Sequence, residues 1–241
     1  MKIYTQDRTV LISQCDASGH VRPAALLGMM QEASGFHSAA LGMGCPDLMR
    51  QGCAWVVTRM EVRMRRYPRV EETIRIETYP TPMHHWFFPR TYRVMDMQGE
   101  LLAEANSLWT LLDLTSRKMA DPVFVKGKLP DNADLQPAFG TPMTARVLPT
   151  EPVQSIRTPV YSDLDVNGHV NNTRYLDWCC DALGIDTLRD RRVMRFAVHY
   201  SHEILPGTAV RLELRRDGDS FSFGGADGEK RCFDISGELG A

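Results

Sequence analysis

No apolar run in this 241-residue chain approaches the roughly 18 residues that a membrane-spanning helix needs. Its first residues, Met1-Lys2-Ile3-Tyr4-Thr5-Gln6-Asp7-Arg8, hold no apolar signal-peptide core. Six cysteines are present, with no C-x-x-C pair and no disulfide-like framework among them. These absences predict a cytoplasmic protein with reduced, mostly buried thiols and no association with membranes. His84-His85 have no Cys or acid at metal-ligand spacing, and the glycines, Gly224-Gly225 included, form no phosphate-binding loop. Neither a metal nor a cofactor is therefore expected. A formal charge of -2 gives no surplus of either sign, which argues against nucleic acid as a partner.

What the chain does have is a repeat. Asp163-Leu164-Asp165-Val166-Asn167-Gly168-His169-Val170-Asn171-Asn172 has a degenerate copy 149 residues earlier, Asp16-Ala17-Ser18-Gly19-His20-Val21. At an offset of 136, Arg59-Met60-Glu61-Val62-Arg63-Met64 aligns with Arg195-Phe196-Ala197-Val198-His199-Tyr200. Without a gap, Ile74-Arg75-Ile76-Glu77 then matches Val210-Arg211-Leu212-Glu213. Gln98-Gly99-Glu100 matches Asp227-Gly228-Glu229 at an offset of 129. One fold is written twice, with shorter connections in the second copy. Between the copies, residues 122 to 159 hold seven of the fourteen prolines, a composition that suits an extended connector. The expected division is 1–121 for the first domain, 122–154 for the linker and 155–241 for the second domain.

Each copy reads as a helix followed by strands. Pro23 suits the first turn of a helix along which Leu26, Leu27, Met30, Ala33, His37 and Ala40 recur at near-helical spacing, with Gly42 and Gly44 as a stop. In the second copy Asn171 or Asn172 caps a helix through Tyr175, Leu176, Cys179 and Leu183, ended by Gly184. The strands alternate: Met60, Val62 and Met64 share one face, while Arg59, Glu61, Arg63 and Arg65 share another, expected to be solvated. Antiparallel strands with one wet face and a helix over the dry one make an α+β fold.

Asp165, Asn167 and His169 fall on alternate residues, which in an extended segment places them on one side of the backbone. A carboxylate, an amide and an imidazole so grouped can orient water, fix a histidine tautomer and donate to a carbonyl oxygen. Glu203 adds a second acid among mostly apolar neighbours. Asp and Asn before Gly also form turns and caps without any chemistry. The flanking Asn171-Asn172 and the duplication tip the balance toward a site.

The long motif, followed by Tyr175 and Trp178, resembles the second-half signature of acyl-acyl-carrier-protein (acyl-ACP) thioesterases. Ser107-Leu108-Trp109-Thr110-Leu111-Leu112-Asp113, continuing to Arg117, is similar to the strand that closes that family's first half. The likeness runs from about Tyr4 to Glu213. It implies a tandem hot-dog fold, each half a curved antiparallel sheet wrapped around a long helix, and hydrolysis of the thioester between a fatty acyl chain and acyl carrier protein. The family's catalytic positions carry over as Asp165, Asn167, His169 and, in Tyr200-Ser201-His202-Glu203, Glu203. Plant members have a cysteine after that acid where this chain has Ile204, so attack by activated water is expected in place of a cysteine acyl-enzyme.

The resemblance also suggests one active site. Ser18 stands where Asn167 stands, and the 136 offset puts Tyr67 opposite Glu203. The first copy is then expected to supply acyl-chain walls, with Met29, Met30, Phe36 and Met43 as candidates, although a Met-rich helix is more often core. Channel depth, set by side chains such as Met29 and Met64, would fix chain length. The arginines at 59, 63, 65, 66 and 69 read as a charged outer sheet face. Arg189, Arg191 and Arg192 are a candidate carrier-protein dock. Tandem hot-dogs internalise the usual dimer interface, which leaves a monomer or a loose homodimer. An acyl-CoA thioesterase is the nearest rival. A hydratase, whose Asp and His commonly stand five apart, and a non-catalytic acyl-binding protein rank lower.

Overall fold

The computed structural model describes all 241 residues. Its strands are β1 (Tyr4–Thr9), β2 (Cys53–Met64), β3 (Thr73–Pro80), β4 (Phe88–Asp96), β5 (Leu101–Asp113), β6 (Val153–Arg157), β7 (Arg192–Tyr200), β8 (Val210–Asp217), β9 (Ser220–Asp227) and β10 (Lys230–Gly240). The helices are α1 (Pro23–Ala40), α2 (Cys45–Met49), α3 (Val123–Lys126), α4 (Arg174–Leu183) and α5 (Ile185–Asp190). All ten strands form one antiparallel sheet in the order β1-β3-β4-β5-β2-β7-β10-β9-β8-β6. Read from either edge toward the centre, the order is the same in both copies, so the sheet is two five-stranded halves related by a pseudo-two-fold axis. This is a tandem hot-dog.

The seam is the β2–β7 pair. Arg59 faces His199, Glu61 faces Ala197 and Arg63 faces Arg195. Residues 136 apart are equivalent, so Glu61 and Ala197 are each other's counterparts and sit on the axis itself. The offset visible in the sequence thus relates the two strands that form the join. Two turns carry the third match: Gly99 and Gly228 adopt φ of 89° and 58° between β4 and β5 and between β9 and β10.

Both halves bury their helices. Pro23 opens α1 after Arg22 in extended conformation, and Gly42 at φ 70° follows its end. Leu26, Leu27, Met30 and Ala33 are all at most 1% exposed and pack against the sheet in a core continuous with Tyr175, Leu176 and Cys179 of α4. Each of the leucines and Met30 contributes about 1.5–3 kcal/mol through burial. Gly225 is needed where it stands in β9. A Cβ there would lie 2.4 Å from the Phe233 ring, which itself stacks flat on Tyr175 at 4.1 Å. No helix is long and apolar enough to cross a membrane.

Three expectations change. Each half begins with a strand, β1 or β6, before its helix, because these edge strands bury little and carry too weak a pattern to read. The charged face of β2 is only partly solvated: Arg65 is exposed and Arg59 and Arg63 half-buried, but Glu61 is covered. Glu61 is 0% exposed, since the proline-rich segment folds back over it and the Met143 N–H donates to its Oε2 at 2.9 Å. That segment is neither wholly extended nor detached. It contains α3, and Asn106 holds it down by donating to the carbonyls of Phe139 and Gly140.

Candidate functional site

The Asp165 motif is a closed turn and not the extended run that the alternation suggested. Asp165 N–H donates to the His169 carbonyl at 3.0 Å, Gly168 N–H donates to the Asp165 carbonyl at 3.0 Å, and Gly168 takes φ 79°. Inside the turn, Asp165 Oδ1 accepts from the Asn167 N–H at 2.8 Å and stands 3.8 Å from His169 Nδ1. The carboxylate therefore both builds the turn and faces the imidazole. Asn171 shapes the start of α4: its Oδ1 accepts from the Thr173 N–H and hydroxyl at 3.0 and 2.7 Å. Thr173 occupies the cap position.

Geometry settles the His169 tautomer. Nδ1 lies 3.2 Å from the Val170 carbonyl and 3.8 Å from the Asp165 carboxylate, both acceptors only. The proton belongs on Nδ1, leaving the Nε2 lone pair free to accept another.

Glu203 is brought to this turn by the backbone. Val170 N–H donates to the Ile204 carbonyl at 2.9 Å, so the acid sits one residue from the strap that holds the motif. Its Oε2 accepts from Arg117 Nη2 at 2.6 Å. Arg117 belongs to the first half, on the turn after β5 (φ 57°). The turn that carries Asp165, Asn167 and His169 is thus strapped beside Glu203, and Glu203 is in turn tied to the first half through Arg117.

Asn167 also lines a cavity of about 260 Å³ whose remaining wall belongs to the first half and the connector. Ser34 and Ser38 of α1, Leu48 of α2, and Trp55, Phe88 and Trp109 of the sheet form much of it. Of the expected wall residues only Met43 takes part. Met29, Met30 and Met64 are buried in the core, and Phe36 is 51% exposed. Arg90 lines the cavity as well, 7% exposed. Its Nη1 donates to Thr78 Oγ1 and to His37 Nδ1, each at 3.2 Å. Burial and the Arg90 charge push the His37 pKa down to about 4. Sequence reading missed Arg90, Trp55 and Trp109, because a strand pattern gives the face of a side chain and not the void in front of it.

The first copy repeats the turn closely. Asp16 Oδ1 accepts from the Ser18 and His20 N–H groups at 2.9 and 3.1 Å, and Gly19 takes φ 75°. Val21 N–H donates to the Pro68 carbonyl as Val170 does to Ile204, which makes Tyr67 the counterpart of Glu203. The chemistry differs. Arg192 Nη2 donates to His20 Nδ1 at 2.9 Å and to Ser18 Oγ at 3.0 Å, and its Nη1 meets Asp16 Oδ2 at 3.2 Å. A guanidinium can only donate, so His20 Nδ1 must be unprotonated, the opposite tautomer to His169. Burial and Arg192 both push the His20 pKa down. Tyr67 is buried, its hydroxyl donated to the Val193 carbonyl at 2.6 Å.

Cysteine chemistry has little support in the second half. Ile204 follows Glu203, and burial pushes the Cys179 thiol up and that of Cys180 to about 12. No three His, Cys, Asp or Glu side chains converge as metal ligands.

The chain matches two family models, the acyl-ACP thioesterase N-terminal domain over residues 1–123 and the C-terminal domain over residues 150–228. It is 28% identical over 194 residues to the chloroplastic palmitoyl-acyl carrier protein thioesterase of Arabidopsis thaliana, covering 78% of this chain and 44% of that one. To the protein of the same name from Gossypium hirsutum it is 29% identical over 208 residues, covering 83% and 44%. The chain spans about half the length of the curated relatives it matches. An acyl-ACP thioesterase structure from Bacteroides thetaiotaomicron superposes with a TM-score of 0.88 at 23% identity, covering 99% of this chain and 98% of that one. The 12:0-ACP thioesterase of Umbellularia californica superposes with a TM-score of 0.85 at 22% identity, covering 99% and 97%. With both of its halves matched in order, the chain belongs to the acyl-ACP thioesterase family.

Proposed function

We infer that this protein hydrolyses the thioester of fatty acyl-ACP, releasing a free fatty acid, by attack of activated water. One observation carries the reading: Asn167, in the turn that orients His169, lines a mostly apolar cavity walled by the other half of the chain. That arrangement suits a substrate with an apolar tail and a polar scissile group at its head.

The chemistry follows from the groups present. A thioester is electrophilic, and its leaving thiol has a pKa near 8.5, so the site must mainly activate water and stabilise an oxyanion. His169 Nε2 has the free lone pair and is the proton acceptor. The Val170 carbonyl holds Nδ1–H in place, and the Asp165 carboxylate beside it stabilises the imidazolium that forms. Asn167 positions the carbonyl or the water. Glu203, tied to Arg117, orients water beside the imidazole. The connection to fatty acid synthesis, the acyl carrier protein as partner and the cytoplasmic location belong to the same proposal.

Arg189, Arg191 and Arg192, the candidate carrier dock, stand apart from the cavity beside Asn167. They line a second cavity and not the one that Asn167 lines. Release of free carrier thiol from a panel of acyl-ACPs, beside matching acyl-CoAs, tests the proposal. Preference for the carrier-bound series is expected. Equal or faster hydrolysis of acyl-CoA would transfer the assignment to the coenzyme A class, and hydrolysis of neither would end it.

A further inference from the structure

A second cavity, about 660 Å³, adjoins the first-copy turn, with Ser18 in its wall as Asn167 is in the wall of the first. It is walled by the first-copy turn (Asp16, Ser18), by Tyr67, and by Trp178 and Cys180 of α4 with Leu188 of α5. Its hydrolytic set is gone: serine replaces Asn167, tyrosine replaces Glu203, and Arg192 holds His20 in the wrong tautomer. The space has nevertheless stayed open, and it is larger than its counterpart.

Its walls are also charged as the first cavity's are not. Arg22, Arg157, Arg174, Arg189, Arg191 and Arg192 line it, against four aspartates, whereas Arg90 is the one ionised side chain lining the other. The outer arginines answer to exposed acids. Arg189 pairs with Asp186, which is 93% exposed, and Arg191 with Asp219 at 61%. Arg157 is divided between the exposed Asp181 at 3.4 Å and the buried Asp163 at 3.5 Å, so only its outer contact is of this kind. Pairs so exposed are screened by water and contribute little, so a ligand's oxyanion can replace them. Arg22 and Arg174 share one carboxylate, that of Asp177. Arg157 lies 4.8 Å over the Trp178 ring, and its Nε is buried without a hydrogen-bond partner. Guanidinium forks match carboxylate geometry, and the apolar share of the wall suits an alkyl body.

We propose that this cavity is a non-hydrolytic binding site for an alkyl carboxylate, the chemical class of a free fatty acid. The site is independent of the hydrolytic reading, and its test is binding, not turnover. Titration calorimetry with dodecanoate is run on the full-length Ala54→Trp variant, in which an indole fills the first cavity. One equivalent should bind. The added substitution Ser162→Trp, which sets an indole on the wall of the second cavity while keeping every charge, should weaken binding at least tenfold. Arg22→Gln with Arg174→Gln should weaken it at least tenfold. Dodecanol, with the same chain and no charge, should bind at least tenfold more weakly. Absence of binding to Ala54→Trp, binding untouched by Ser162→Trp, or equal affinity for dodecanol would each overturn the proposal. Coenzyme A binding in place of dodecanoate would assign the arginines to a phosphate and overturn the carboxylate. Because neither filling variant removes a charge, a fold lost in the arginine variants leaves the test intact.

Discussion

Arg195 reaches the fully buried carboxylate of Glu61 at 2.8 Å, across the strand pair that joins the two halves. Arg63 reaches the same oxygen from within β2 at 3.0 Å. Burial alone would raise the Glu61 pKa. The Met143 N–H and the two guanidiniums outweigh it and hold the carboxyl below its usual range. A lowered carboxyl contributes stability that is present above its unfolded value and is lost as pH falls through the folded one. Glu61→Gln should therefore cost about 2–3 kcal/mol at pH 7. That is less than for a fully buried pair, because both arginines reach water. The variant should also lose part of the wild-type acid limb. Denaturant titrations at pH 7 and pH 4 measure both, and an equal loss at the two pH values would exclude the linkage.

Arg117 and Glu203 belong to different halves, and their 2.6 Å contact makes the acid's position depend on the first half. Both side chains are substantially exposed, so the pair adds little to stability. Its expected effect is on rate. Arg117→Ala should lower kcat about tenfold or more, with thermal stability nearly unchanged, and Arg117→Lys should recover part of the loss. A kcat at the wild-type level in Arg117→Ala would show that Glu203 needs no anchor.

Asp165 has two duties that substitution can separate. Asp165→Asn keeps an acceptor for the Asn167 N–H but loses the charge that faces His169, so kcat should fall about 10²–10⁴-fold with the fold retained. Asp165→Ala should lose the turn as well and melt lower. His169→Gln removes the base itself and should lower kcat at least as far as Asp165→Asn. Full activity in a folded His169→Gln would pass the proton to Glu203.

The cavity beside Asn167 allows a size test. Ala54 is half-buried on its wall, and Ala54→Phe places a ring where an acyl chain would run. Turnover should shift toward shorter acyl groups, and the rate ratio between two lengths should change about tenfold or more, since a few methylenes in a pocket are worth about 1–3 kcal/mol each. An unchanged profile across an acyl-ACP panel would place the chain elsewhere.

Much of this arrangement was legible in the residues. The 136 offset between Arg59 and Arg195 relates the two strands of the seam, and it correctly pairs Tyr67 with Glu203. The repeat placed the turns, and the helical spacing placed α1 and α4. Long-range closure was not legible. Nothing near Glu61 tells that residues about eighty positions later will cover it. Arg117 lies 86 positions before Glu203, and only the assembled sheet brings them together. The alternation of Asp165, Asn167 and His169 suggested an extended run because Gly168, which turns the backbone back, was weighed as a neighbour and not as a hinge. Periodicity marks Met29 and Met64 as inward without saying whether they meet core or cavity, and both lie in the core.

His37 supplies the last test. Its Nδ1 accepts from Arg90 Nη1, so its proton sits on Nε2, which donates to the Met1 carbonyl at 3.3 Å. Protonating Nδ1 would set an N–H against a guanidinium in a buried site, which is why burial and Arg90 bring the pKa down to about 4. The unfolded chain's histidine takes up a proton near pH 6.5, whereas the folded one resists until about pH 4. Between those values the unfolded state binds more protons, and stability falls as pH falls, by about 2 kcal/mol at pH 5 from this residue alone. His37→Gln keeps an acceptor for Arg90 and cannot titrate, so it should shrink the stability difference between pH 7 and pH 5 by roughly that amount. Urea midpoints at the two pH values decide it, and an unaltered difference in His37→Gln would move the pH dependence to other groups such as His20 and His199, whose pKa values burial also lowers.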